Sequence, residues 1–465
     1  MAEPSGALLR AIPAVSEVLD SGPGRALAAE FGPGAVRFEL RALLELVRSE
    51  IRGGRRQSVP PPAALAEELR GRLVRLARPE GRRAINATGI LLHTGLGRAP
   101  LCSEATAALS GLGGYSLLQA DPQSGERSLR EEKVERLLVE LTGCEAATVV
   151  NNNAAATMLV LSALAAGREA IISRGQLIEI GGAFRLPDVL ARSGAIMREV
   201  GTTNRTHLRD YEAALSPATG AIIHVHTSNY RVRGFAGTPD IAELCTLGRR
   251  AGVPVIDDLG SGALVPLSTF GLPDEPLVSA SLAAGANVAC FSGDKLICGP
   301  QSGIICGRKA AVERIRKDPF ARMFRVDKLT IAALEATLLH FLDGESWKCR
   351  LPLYRMMARP MDELRAQADG LAAALAGLPA VAAEAVEETA YLGSGSLPDQ
   401  GLPTLALALR PEGLSAGALA VRLRTGLPSV FGRIRDGRLL LDMRTVFPEE
   451  AGDLAAALRR ALGAP

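Results

Sequence analysis

Lys295 is one of six lysines among the 53 basic residues of the chain. It ends the run Ser292-Gly293-Asp294-Lys295, which follows the apolar stretch ANVACF and precedes Gly299-Pro300-Gln301-Ser302-Gly303. A primary amine desolvated at such a strand end has a lowered pKa and can act as a Schiff-base nucleophile. A lone lysine there is more often a solvated cap, so its neighbours decide the reading. Asn151-Asn152-Asn153-Ala154 follows ATVV and opens an apolar helix predicted over 154–166. A polar turn at a helix start presents free N–H groups and the positive end of the helix dipole, which suits a phosphate. An Asn cap accounts for one of the three asparagines. Asp257-Asp258 follows VPVI. Two adjacent carboxylates at a buried strand end need a positive partner, either a metal ion or a protonated ring nitrogen. His224-Val225-His226-Thr227-Ser228-Asn229 follows AII. Alternation sets His224 and His226 on one face, where a structural role is the default. Asn229, past the strand end, is better placed to touch a ligand.

These groups need a scaffold that gathers strand ends. From about residue 85 to 310, short apolar or β-branched runs alternate with helical stretches, among them AATVVNN, EAIISR, GAIIHVHTS, VPVIDD and SGIICG. That pattern predicts an α/β fold with a largely parallel sheet covered by helices on both faces. Ligands bind beyond the carboxyl ends of strands in such sheets. The order of parts is a phosphate turn, a strand-end Asp and then Ser-x-x-Lys. It suits pyridoxal 5'-phosphate: the turn anchors the cofactor, the Asp keeps its ring nitrogen protonated, and the Lys forms an imine.

The 465 residues suggest two to four domains. Residues 1–60 read as a helical domain broken at Pro13, Pro23 and Pro33, with an apolar stripe of Phe38, Leu40, Leu43, Leu44, Val47 and Ile51. Residues 61–84 read as a linker helix, 85–328 as the core domain and 329–465 as a smaller α+β domain. Residues 37–83 hold twelve arginines against six acids, although the whole chain carries only +3. A basic helical surface of this kind attracts phosphate backbones, and it also describes an ordinary solvated face. A hydrophobic share of 47% excludes a disordered chain. The seven cysteines form no CxxC pair, and Cys290, Cys298 and Cys306 lack short zinc-ligand spacing, so a reducing, cytoplasmic setting is expected. No secretory signal is evident at the N-terminus, and the most apolar stretch, 158–166, falls far short of the roughly 20 residues a spanning helix needs.

The motifs also carry a resemblance. IPAVSEVL, INATGILLHTGLGRAPL (85–101), ELTGCEAATVVNNNAAA (140–156), VHTSNYRVRGF (225–235), IDDLGSG (256–262), FSGDKLICGPQSG (291–303) and RMFRVDK (322–328) resemble, in order, the bacterial selenocysteine synthase family. These L-seryl-tRNA(Sec) selenium transferases belong to the fold-type I pyridoxal-phosphate enzymes. Gly95, Cys298 and Glu131 depart from the family pattern, which usually has Asn, Gly and an aromatic there. The resemblance implies a fold-type I transferase with a mainly parallel central sheet, a small N-terminal helical domain and a smaller C-terminal α+β domain. It implies that Lys295 holds the cofactor and then acts as base at the seryl Cα. Asp257 would pair with the pyridine nitrogen, with Asp258 as the alternative. Ser292 and the turn Asn151, Asn152, Asn153 and Ala154 would hold the phosphate, and Asn229 would contact the cofactor or the aminoacyl group. Arg98, Arg322 and Arg325 would bind selenophosphate, since guanidiniums suit small multiply charged anions. The seryl hydroxyl would be eliminated and selenium added while the amino acid stays esterified to tRNA(Sec), which the basic N-terminal helices would hold. A homo-oligomer, a decamer built from dimers, is expected on the same ground. Two alternatives stand beside this. A small-molecule lyase of the same fold, of the amino-sugar-phosphate ammonia-lyase type, would generally lack the N-terminal helices. A non-catalytic tRNA-binding protein would not need Lys295 with all its strand-end partners.

Overall fold

The structure is a computed structural model; it describes residues 4–79, 81–182, 184–228, 230, 232, 234–273, 275–377, 381–394 and 396–463. The chain forms two compact units, one ending at Arg83 and one starting at Ala84.

The first unit holds the helices Pro4–Arg10, Val15–Leu19, Gly22–Phe31, Pro33–Arg52 and Pro62–Ala77. Pro23 and Pro33 sit in first turns, where a missing N–H costs nothing, so these prolines start helices. On Pro33–Arg52 the 3.6-residue period buries Val36, Leu40, Leu43, Leu44, Val47 and Ile51. Phe38, expected in that stripe, points away and is 64% exposed. The helix read as a linker is part of this unit. Its Leu65, Leu69 and Leu73 share one core with Leu27, Leu40 and Leu44. Arg72 pairs with Glu39 at 2.7 Å and Arg70 with Glu30 at 2.9 Å. The unit boundary therefore lies at 83 and not at 60, because a cut at 60 would strip Leu65, Leu69 and Leu73 from a shared apolar core.

The second unit is built on a seven-stranded sheet. Its spatial order is Ala146–Val150, Gly303–Gly307, Val288–Ser292, Val255–Gly260, Thr219–Val225, Glu169–Ser173 and Ile196–Val200. Gly303–Gly307 runs antiparallel to both neighbours; the other pairings are parallel. The helix Asn153–Ala165 is apolar on nearly all sides and packs in the core of one face, with Leu159, Val160 and Leu161 buried. Tyr211, Leu244 and Leu247 build the core against the other face.

A five-stranded sheet forms the second half of this unit, and its edge comes from far upstream. Ala84–Ala87 pairs in parallel with Ser429–Arg435. The helix Lys328–Leu342 buries Ile331, Leu334 and Leu338 with the central-sheet residues Val149, Phe291 and Ile304. The expected division at 328/329 is thus crossed in both directions. Among the described residues no helix is long and apolar enough to cross a membrane. All seven cysteines are free.

Candidate active site

The loop carrying Lys295 is shaped by close backbone approaches. Gly293 donates its N–H to Ser302 O at 2.8 Å, and a Cβ on Gly293 would lie 2.0 Å from Ser302 Oγ. Cys298, where the family pattern has Gly, is held at φ +65, the left-handed region that glycine occupies most cheaply. The Asn151–Ala154 turn is capped from within: Asn152 Oδ1 accepts the Ala155 N–H at 2.8 Å.

Seven of the residues singled out in the sequence meet in one cavity of about 290 Å³: Arg98, Asn152, Asn153, Ala154, Asp258, Ser292 and Lys295. They come from the carboxyl ends of three strands and from the turn before Ala99, as expected for an open α/β sheet. Burial, reinforced by the Arg98 charge, lowers the pKa of the Lys295 amine; Asp294, Asp258 and Glu275 oppose the shift. Arg98 is tied to Asp294 at 2.8 Å and has φ +64.

The two aspartates separate. Asp258 lines the cavity and accepts from Asn153 Nδ2 and Thr157 Oγ1, each at 2.8 Å, and from Gly260 N at 3.1 Å. Burial raises its pKa. Asp257, expected as the likelier partner of a ring nitrogen, lies on the opposite face of the strand. There it meets His224 Nδ1 at 2.8 Å and accepts from Ser281 Oγ. Successive residues of a strand face opposite sides, so the two carboxylates cannot both enter one site.

Other expectations are not met by the geometry. Asn151 is exposed and gives its backbone N–H to Phe324 O at 2.9 Å, so the turn's first residue is outside the cavity lining. Arg322 and Arg325 are exposed and cluster with Arg127 around Arg130. Burial lowers the Arg130 pKa, and the repulsion of Arg325, Arg322 and Arg127 adds to the shift. A bridge between Val150 and Arg325 sets this cluster beside the strand that leads into the Asn151–Ala154 turn. Arg98 thus reaches the cavity without the other two. Asn229 lies outside the described residues.

Three roles escaped the sequence reading, one of them at His226, which alternation left with a structural role. Thr157 holds Asp258 from one turn below Asn153, a spacing visible in an otherwise apolar helix. Asp294 anchors Arg98. His226 lines the cavity with its Nε2 3.2 Å from Glu275 Oε2, and the Glu275 side chain is 3% exposed. No local pattern announced Glu275, which reaches His226 only through the fold.

A family model described as L-seryl-tRNA selenium transferase matches residues 84–447. A relative from Geobacter sulfurreducens named L-seryl-tRNA(Sec) selenium transferase is 43% identical over 452 residues, covering 96% of this chain and 98% of the relative. One of the same name from Solidesulfovibrio magneticus is 46% identical over 467 residues, covering 98% of each. A solved D-glucosaminate-6-phosphate ammonia-lyase matches 82% of this chain and 96% of its own at 20% identity, with a TM-score of 0.56, a likeness of fold. The chain belongs to the L-seryl-tRNA(Sec) selenium transferase family.

Proposed function

We infer that the Lys295 cavity converts L-seryl-tRNA(Sec) to L-selenocysteinyl-tRNA(Sec), with pyridoxal 5'-phosphate as cofactor and selenophosphate as selenium donor. One observation carries this reading. A desolvated amine, the start of a buried helix and an anionic side chain line a single cavity. The donor set fits the cofactor. Asp258 is buried with three hydrogen-bond donors and, among the described residues, no cation at ion-pair distance, so a protonated ring nitrogen would complete it. Asn152, Asn153, Ala154 and Ser292 would hold the phosphate. When bound, the cofactor supplies an electron sink that acidifies the seryl Cα–H.

The residues then divide the proton work. Lys295 Nζ, kept less basic by burial, receives the Cα proton. His226, whose Nε2 lies 3.2 Å from Glu275 Oε2 in the cavity wall, is the group that meets the departing β-hydroxyl. His226→Gln should lower kcat by about a hundredfold with little change in KM, as measured by steady-state selenium incorporation. Arg98 meets the donor anion from the cavity wall, and Arg322 and Arg325 add positive charge from the cluster around Arg130. Asn229 would contact the cofactor or the aminoacyl group. The first unit holds the tRNA: Arg37, Arg41, Arg52, Arg55, Arg75 and Arg78 are exposed on it. The working form is a dimer-based oligomer, a decamer, which native mass measurement would reveal. The relatives' match over 96–98% of the chain includes the N-terminal helices, which favours this reading over the small-molecule lyase.

Incubating the protein with radiolabelled selenophosphate and seryl-tRNA(Sec), with seryl-tRNA(Ser) as control, tests the proposal. Label should enter tRNA(Sec) alone. A chain starting at Ala84 should keep its cofactor and lose this preference. Equal labelling of both tRNAs, or none, would refute the reaction; an unchanged preference in the shortened chain would move tRNA recognition away from the first unit.

A further inference from the structure

We propose that a second cavity beside the Lys295 site seats the terminal nucleoside of the aminoacyl-tRNA. This rests on the reaction proposed above and names where its substrate's other half is held. The cavity measures about 420 Å³ and lies at the carboxyl ends of Glu169–Ser173, Ile196–Val200 and Thr219–Val225. Val225 and His226 line both cavities, so the two are neighbours through a common wall. The seryl carboxyl is esterified to the 3'-terminal ribose. With the amine and Cα at Lys295, that ribose stands one ester linkage away, and its base must enter whatever space adjoins. The volume lies in the range of small-molecule sites and exceeds what a serine ester alone would fill.

The walls suit a nucleoside. Gln176 is buried, and its side-chain oxygen is fixed by the Val225 N–H at 3.1 Å, which leaves the amide NH2 to donate to a base edge. His224 is oriented through Nδ1 by the buried Asp257, which leaves Nε2 for a ligand and gives Asp257 a positioning role away from the cofactor. Tyr230, anchored through its hydroxyl to Gly175 O, adds an aromatic wall. Thr203 adds a hydroxyl, and Arg205 a charge for the phosphate that joins the terminal nucleoside to the rest of the tRNA.

The test compares two ligands on the cofactor-loaded protein, read by the change in visible absorbance: serine methyl ester, and a non-hydrolysable adenosine carrying serine in amide linkage at the 3' position. The adenosine compound should bind at least about tenfold tighter. Gly237 lines the cavity, and a Cβ there meets only Arg205 Nε at 3.9 Å. Gly237→Leu should therefore fill the space without moving the backbone, removing the tenfold advantage and leaving the response to serine methyl ester intact. Thr203→Ala, which only trims an exposed side chain, should reduce the advantage severalfold. Equal affinity for the two ligands in the unaltered protein, or an undiminished advantage in Gly237→Leu, would overturn the nucleoside site and leave the reaction standing. Competition with the adenosine compound by inorganic phosphate but not by adenosine would assign the cavity to an anion and overturn the site as well. No spectral response to either ligand would overturn the reaction at Lys295 and the nucleoside site with it.

Discussion

Lys295→Ala should lose at least about 10⁴-fold in turnover, because in the proposed reaction one side chain supplies both the covalent hold on the cofactor and the base at Cα. Purified Lys295→Ala should release its cofactor on gel filtration, whereas the unaltered protein stays yellow. Lys295→Arg should be as inactive, since a guanidinium keeps the charge but forms no such bond. The loss is not one of folding. Burial lowers the Lys295 pKa below its value in the unfolded chain, so at neutral pH the protonated amine costs the folded state stability. That cost is present below the folded pKa and fades as pH rises through the unfolded one. Cofactor-free Lys295→Met should therefore melt no lower than the cofactor-free parent. A melting temperature several degrees lower, with activity lost in proportion, would make Lys295 structural.

Asp258→Asn should lose at least about a hundredfold in turnover, the scale of removing one well-placed electrostatic partner. Asp257→Asn should keep most of its activity with free amino-acid esters. The argument rests on the opposite faces of Val255–Gly260: Asp258 opens into the cavity with Asn153 and Thr157, while Asp257 is occupied by His224 and Ser281. Burial raises the Asp258 pKa, so the ionised carboxylate costs stability at neutral pH until a cation joins it. Cofactor binding should accordingly raise the melting temperature more in the parent than in Asp258→Asn. A near-normal Asp258→Asn with an inactive Asp257→Asn would reverse the two roles.

What the sequence made legible follows from locality. Lys295, Ser292 and Asn152–Ala154 each end a short apolar strand, and strand ends gather wherever a parallel sheet forms. Their convergence could be argued without coordinates. The choice between Asp257 and Asp258 could not, because alternation says only that they diverge. Which one faces the helix Asn153–Ala165 depends on sheet topology. Distance in sequence hid the rest. Ala84–Ala87 finds its partner at Ser429–Arg435. Glu275 finds His226 only in the folded chain. Leu65, Leu69 and Leu73 declare themselves core residues only once Pro33–Arg52 lies beside them. Phe38 misled for a different reason: its spacing lies off the 3.6-residue stripe that Leu40, Leu44, Val47 and Ile51 keep, and apolar type alone drew it in. The three arginines were grouped by resemblance. The structure ties Arg98 to Asp294 and sets Arg322 and Arg325 beside Arg130.

Borohydride reduction of the cofactor-loaded protein, followed by peptide mass mapping, tests the assignment of the catalytic centre most directly. Of the six lysines, Lys295 is the one in a cavity with a helix start and a buried carboxylate. The cofactor mass should appear on the peptide containing Lys295 and be displaced from it when the reduction follows addition of seryl-tRNA(Sec). Cofactor mass on any of Lys133, Lys309, Lys317, Lys328 or Lys348, or an unmodified Lys295 peptide from fully loaded protein, would contradict it.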